Sequence, residues 1–370
     1  MRRLVLWVAM LAAGGISVVS ALATVGWLLG SQALEAGALH RGDPLVVPNA
    51  SRGFARPASA RTEISQPAAG LAYTVFTDSR GLRANGPGQV APSQVDVLVI
   101  GGSFSAGHGF ANPQTFTEHL GRDLDAEVAN AALSSYGTVA SLATLRDLSD
   151  LRPRIVVYGL IADHLRRNLD PCAPSFQAPC LPVPHVTFSD DQQPQLVKPN
   201  EEISRRAFAF SESLRQQRED PTLLGTIQLG LEALGHRLTR RLSGGPPAYS
   251  EALRERALLF TLRKLARRTE RAGAQLVVLN LPHMDAPHAG SRGAWLREAL
   301  PGLIVVDFAE YVRTHLDIHS LPSMILSADD RHPNAYAHEL IARALSETIE
   351  DQGLLGNRAE LPVTTTGSTP

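Results

Sequence analysis

Five short apolar runs, at 96–101, 127–132, 154–160, 275–281 and 303–308, alternate with amphipathic stretches from Val95 onward, and no other feature limits the fold as tightly. Aliphatic runs separated by helical patterns predict an α/β domain: parallel strands joined by crossover helices that cover both faces of the sheet. Helix signals fall in the gaps. Asn112-Pro113 offers a cap and a first-turn proline before Phe116, Leu120 and Leu124, and Thr138–Leu148 turns Val139, Leu142, Leu145 and Leu148 to one side. Longer helical stretches run from Glu251 to Arg271 and from Asn334 to Ile349. With five strands in the order 2-1-3-4-5, a ligand crevice lies beyond the carboxyl ends of strands one and three, where the order reverses.

The alternation fails between about 170 and 250, where Pro-rich sequence gives way to polar helical stretches such as EEISRRAFAFSESLRQQ. That length far exceeds a βα connection and predicts an insertion able to cover the carboxyl-end face. The main domain is expected over 73–355, opening with an extended segment and a Gly-containing turn at 73–86. Residues 35–72, rich in Ala, Pro, Arg and Ser, read as a spacer, and 356–370 as a disordered tail.

Residues 4–34 carry no charge and follow Arg2 and Arg3. That exceeds the roughly 20 apolar residues a bilayer crossing needs. The expectation is a transmembrane helix, embedded through about residues 4–29, with its amino end in the cytoplasm and the rest of the chain on the far side. A cleaved signal peptide is the alternative, because Ala21-Leu22-Ala23 reads as a cleavage site. Both readings export the body; basic charge carried almost wholly by Arg reads as the codon bias of a GC-rich bacterial genome, so the expected location is the periplasmic side of a bacterial cytoplasmic membrane. The two cysteines, Cys172 and Cys180, sit in PCAPSFQAPC and fit a disulfide in such a compartment better than a metal site. A formal charge of -1 gives no reason to expect a nucleic-acid partner.

The first strand ends in VLVIGGSFSAGHG, residues 97–109. It lacks the Gly-Lys-Ser/Thr of a phosphate-binding loop, the third glycine of a dinucleotide fingerprint and the flanking glycines of a nucleophile elbow. What remains is Ser103 at a strand end, a weak nucleophile unless an imidazole can take its proton and a carboxylate can hold that imidazole. SADDRHPNAYAHELIARAL, residues 327–345, supplies both after the last strand. Asp329 and His332, three apart, are the expected orienting acid and base.

These stretches carry a resemblance. VLVIGGSFSAG is similar to block I of the SGNH, or GDSL-like, hydrolases and DDRHPNAYAHELIA to their block V; VANAALSSYGT resembles block II and IVVYGLIADHLRRN stands in the place of block III. The resemblance implies a three-layer, flavodoxin-like α/β/α fold, a catalytic set of Ser103, His332 and Asp329, and an oxyanion hole from the amides of Ser103 and the Ser135 to Gly137 loop. It implies no metal and no cofactor.

Three positions depart from the family pattern. Gly102 stands for the usual Asp, Ser135 for a frequent glycine, and Ala162 for the Asn that donates to the oxyanion. His164 is a candidate to replace that donor, Asp163 to line the pocket or pair with the neighbouring arginines, and His108 to line the pocket. The expected function is a membrane-tethered serine esterase removing acyl groups, acetyl above all, from a cell-envelope or secreted carbohydrate. An acyltransferase using the same residues and a non-catalytic carbohydrate-binding or assembly protein remain open.

Overall fold

The computed structural model of the chain describes residues 2–35, 39–66, 70–173, 180–242 and 249–356. Helix α1 (Arg2–Glu35) comes first. Among the described residues no helix is long and apolar enough to cross a membrane. The expected span at 4–34 falls partly on residues 2–16, whose side chains lie outside the description.

Where a spacer is expected, at 35–72, the described residues 39–66 and 70–72 contain strands. Strands β1 (Leu39–Gly42), β2 (Arg61–Gln66), β3 (Leu71–Thr77) and β4 (Arg83–Ala84) form an antiparallel meander in sequential order. Thr62 and Ile64 point inward while Arg61 is exposed, the period of two of a half-buried strand, but runs this short give little signal without their cross-strand partners. A hairpin of Val47–Asn49 and Gly53–Ala55 buries Phe54 against Tyr136, ring centroids 5.1 Å apart. Only glycine fits at 53, where φ is +85° and a Cβ would stand 1.7 Å from the Pro182 carbonyl oxygen.

The five expected core strands are present, trimmed by a residue or two: β5 (Val97–Gly101), β6 (Val128–Asn130), β7 (Ile155–Leu160), β8 (Gln275–Asn280) and β9 (Ile304–Asp307). All pairings are parallel, and the order across the sheet is β9-β8-β7-β5-β6, which is the expected 2-1-3-4-5. Strand alternation divides the core in two. Val97, Val99, Val157 and Val277 pack under α3 (Phe116–Asp123), α10 (Phe308–His315) and α11 (Ala335–Asp351). Leu98, Ile100, Tyr158 and Val278 pack under α4 (Thr138–Asp147), α8 (Glu251–Arg271) and α9 (Gly293–Ala299). Residues buried on both sheet faces explain why these strands read as continuous apolar runs.

The insertion contains two small antiparallel hairpins, α6 (Glu201–Glu219) and α7 (Leu223–Leu242). Cys172 and Cys180 are joined by a disulfide. Ala173, Leu181, Val183, Phe210 and Leu214 pack with Leu133 and Tyr136, so the insertion buttresses the loop after β6. The expected tail falls, beyond residue 356, outside the described residues.

Candidate active site

The chain leaves β5 through Gly101 and Gly102 and enters a single turn, α2 (Ser103–Ala106). Gly101 has φ +146°, and a Cβ there would stand 2.7 Å from Ser105 Oγ and 2.9 Å from the Gly159 carbonyl oxygen. A side chain on Gly102 would meet His164 Nε2 at 2.7 Å and Arg167 Nη1 at 3.2 Å. The space that a side chain on Gly102 would take is therefore already filled from α5 (Asp163–Arg167). Asn130, buried at the end of β6, donates to the Ser105 carbonyl at 3.1 Å and steadies the turn from the other side.

Ser103 is 7% exposed, and its hydroxyl donates to His332 Nε2 at 2.8 Å across 229 residues of sequence. His332 Nδ1 donates to Asp330 Oδ1 at 2.5 Å, and Asp330 Oδ1 also accepts the His332 amide at 3.0 Å. The acid is thus Asp330, and Asp329 stands exposed in the preceding turn. The reason is local. Ile325–Ser327, strand β10, and Asp330–Pro333, strand β11, form a hairpin, so residues two apart share a face. Three-residue spacing would suit a helical turn, and this segment is extended.

Burial alone would raise the Asp330 carboxyl, but hydrogen bonds from His108 and His332 outweigh it and hold it well below the usual carboxylate range. Burial lowers His332, with the bond to Asp330 opposing that and the nearby His108 and Arg167 adding to it. At neutral pH this leaves an ionised acid, a neutral imidazole with its proton on Nδ1, and a free Nε2 lone pair facing the serine hydroxyl. Phe104 packs against the His332 ring, centroids 5.1 Å apart.

The loop after β6 approaches the same crevice. Ser135 adopts φ +70°, a left-handed conformation that favours glycine. A Cβ on Gly137 would fit tightly, 3.0 Å from Arg167 Cβ and 3.2 Å from Asn168 Oδ1. Asn168 Oδ1 accepts the amides of Thr138 at 2.9 Å and Val139 at 3.3 Å, capping α4 from a distance.

His164 does not line the crevice: it is fully buried behind Gly102. Asn168 Nδ2 donates to Thr138 Oγ1 at 3.0 Å, Thr138 lies 2.7 Å from the Tyr158 hydroxyl, and that hydroxyl lies 2.6 Å from His164 Nδ1. Burial and Arg167 hold His164 well below its ordinary pKa, hence neutral. The Asn168 amide donates into this chain of contacts, and His164 Nε2, on the far side of the ring, makes no hydrogen bond among the described residues. His164 and Asn168 therefore brace the two loops from beneath. Asp163 is exposed and pairs with Arg167 at 3.1 Å. Ala162 is exposed and offers no side-chain donor.

His108 is the surprise among the expected pocket residues. Its Nε2 lies 3.1 Å from Asp330 Oδ2, and its ring lies against His332, tilted by 37° with centroids 4.2 Å apart. His108, Asp330 and His332 also stand close enough together to hold a metal ion, although two of the three already serve the serine. Sequence reasoning missed Asp330, Asn130, Asn168, Tyr73 and Arg83. A motif carries none of the last four, since each acts through a partner distant in the chain.

No family model matches the chain, and no curated protein matches it. Among solved structures it is similar to TesA, at 17% identity over 69% of this chain and 98% of that one with a TM-score of 0.37. It is similar to an acetyl xylan esterase (Est2A) from the rumen bacterium Butyrivibrio proteoclasticus, at 12% identity over 71% and 66% of the two chains with a TM-score of 0.32. A third is a carbohydrate esterase family 2 enzyme with a carbohydrate binding domain from Corynascus thermopiles (Myceliophthora fergusii), at 11% identity over 85% and 91% with a TM-score of 0.36.

Proposed function

We propose that this chain is an SGNH-type serine esterase. The observation that carries the reading is the continuous line from Ser103 Oγ through His332 to Asp330, at 2.8 and 2.5 Å. Ser103 attacks the ester carbonyl while its proton passes to His332 Nε2; Asp330 stabilises the resulting imidazolium. Backbone amides of Ser103 and of the Ser135 to Gly137 loop face the developing oxyanion. His332 then returns the proton to the leaving alcohol, and water, deprotonated by the same imidazole, releases the acid. With Ala162 in place of an Asn donor, turnover is expected to be lower than in a site with that donor, by about 100- to 1,000-fold.

The substrate is an acyl, and foremost an acetyl, ester on a cell-envelope or secreted carbohydrate, acted on outside the cytoplasm by a chain tethered to the bacterial cytoplasmic membrane. The uncharged segment 4–34 after Arg2 and Arg3 supports the tether, and the Cys172–Cys180 disulfide supports an oxidising compartment. The test is release of acetate from an aryl acetate and from an acetylated polysaccharide by the full chain in detergent. Release from both, lost in Ser103→Ala, is expected. Equal release by Ser103→Ala contradicts the reading, and transfer to an oligosaccharide acceptor in preference to water would make the chain an acyltransferase.

A further inference from the structure

We propose that His108 is a positioning residue for Asp330, and that the N-terminal sheet is the part of the fold that holds His108 in place. The proposal rests on the esterase reading above. Each oxygen of the Asp330 carboxylate has its own imidazole: Oδ1 accepts from His332 Nδ1 and Oδ2 from His108 Nε2. An ionised carboxylate can only accept, so His108 Nε2 is the donor to Oδ2. The Tyr73 hydroxyl, from β3, lies 3.5 Å from His108 Nδ1, with the two rings edge to face. The His108 ring is thus contacted at both nitrogens.

Arg83, from β4, fixes the loop that carries His108. Its Nη1 donates to the carbonyls of Ala106 and of Gly107, the latter at 3.0 Å, and its Nη2 donates to Phe110 O at 2.6 Å. Three carbonyls on one buried guanidinium leave this loop little freedom. The backbone must also pass close to its neighbours. At Gly107, φ +71°, a Cβ would stand 2.2 Å from Thr115 Cγ2, and at Gly109, φ +90°, 2.6 Å from Leu326 Cδ2.

The consequence reaches the base. Asp330 belongs to a two-stranded hairpin with an irregular register, a weak platform by itself. With Oδ2 held by His108 the carboxylate cannot rotate away from His332, and the His332 ring is confined between Phe104 and His108. The charged and titratable groups around the pair are Asp330 and His332 on the hairpin, Tyr73 and Arg83 from the N-terminal sheet with Arg56 and Glu118 behind them, and Arg167 from α5.

The experiment measures kcat, KM and the pH profile of aryl acetate hydrolysis for the full chain and for His108→Ala, His108→Gln and Tyr73→Phe. Gln places an amide donor near the position of Nε2. His108→Ala is expected to lower kcat roughly 10- to 100-fold with KM little changed, the size of one charge-assisted hydrogen bond. Its acid limb is expected to move to higher pH, because a carboxylate with one imidazole pulls harder on the His332 proton. His108→Gln recovers most of the loss, and Tyr73→Phe, which keeps the ring, shows a smaller loss in the same direction. An unchanged kcat and pH profile in His108→Ala overturns the proposal, as does a Gln variant no better than Ala. Should His108→Ala not fold, His108→Leu, which fills the space without a donor, takes its place, and an unchanged kcat and pH profile in that variant together with an unchanged kcat in Tyr73→Phe overturns it. A wild-type chain without ester hydrolysis removes the esterase reading itself and is a separate outcome.

Discussion

The two halves of the catalytic line are built differently. Ser103 stands on the first turn after a fully buried interior strand, and its loop is braced by groups that lie beneath it: Asn130, His164 and Asn168. His332 and Asp330 stand on a half-exposed two-stranded hairpin outside the main sheet, and are braced from the side by His108 and the N-terminal strands. A nucleophile can be fixed by the element that carries it. An acid–base pair on a hairpin needs support from elsewhere, and here that support comes from a region that precedes the five-stranded parallel sheet in the chain.

Substitutions can break this contrast. The largest effects are expected at the line itself: Ser103→Ala and His332→Ala should each lower kcat about a million-fold, measured on the same ester. Asp330→Asn should cost about 10,000-fold through loss of the correct His332 tautomer, whereas Asp329→Asn should stay within about two-fold. Reversal of those two results would return the acid to Asp329. Beneath the serine, Gly102→Ala puts a Cβ against His164 and Arg167, and a shift of the turn by several tenths of an ångström should lower kcat roughly 10- to 100-fold. Combining it with His164→Ala should recover part of the loss if the clash is the cause.

A pH profile sharpens the hairpin side. His332 is held below its ordinary value, so its neutral, proton-accepting form persists to lower pH than that of a free imidazole. The acid limb of kcat/KM should therefore fall below about 6.5. Asp330, held far lower, stays ionised throughout and adds no second limb in the accessible range. A limb above neutrality would contradict the buried environment of the ring. The smallest effect on turnover is expected from replacing Cys172 and Cys180 by serine: about 2 to 3 kcal/mol of stability, read as a lower unfolding midpoint, with kcat within about two-fold.

The same contrast governs what could be read from the sequence. The five core strands are legible because burial on both faces writes them as unbroken aliphatic runs, and Ser103 follows from the glycines at the end of the first. His332 is legible from its place before the last helix, capped by Asn334, whose side chain accepts the Ala337 amide. Asp330 is not, because choosing between two adjacent aspartates requires knowing that the segment is a strand, where 330 and 332 share a face. The N-terminal sheet is not legible either, since its strands are short and their partners are distant in sequence. The contacts of His108, Tyr73 and Arg83 join chain positions up to 222 residues apart and leave no spacing to recognise.

The most direct measurement is covalent capture of the nucleophile. The folded full chain is treated with a fluorophosphonate, and the adduct is located by mass spectrometry in the wild type, Ser103→Ala, His332→Ala and Asp330→Asn. A single adduct on Ser103, absent from the first two variants and slowed in the third, is the predicted result. Folded wild-type protein that forms no adduct, or forms it at another serine, would contradict the assignment of Ser103 and His332 as nucleophile and base.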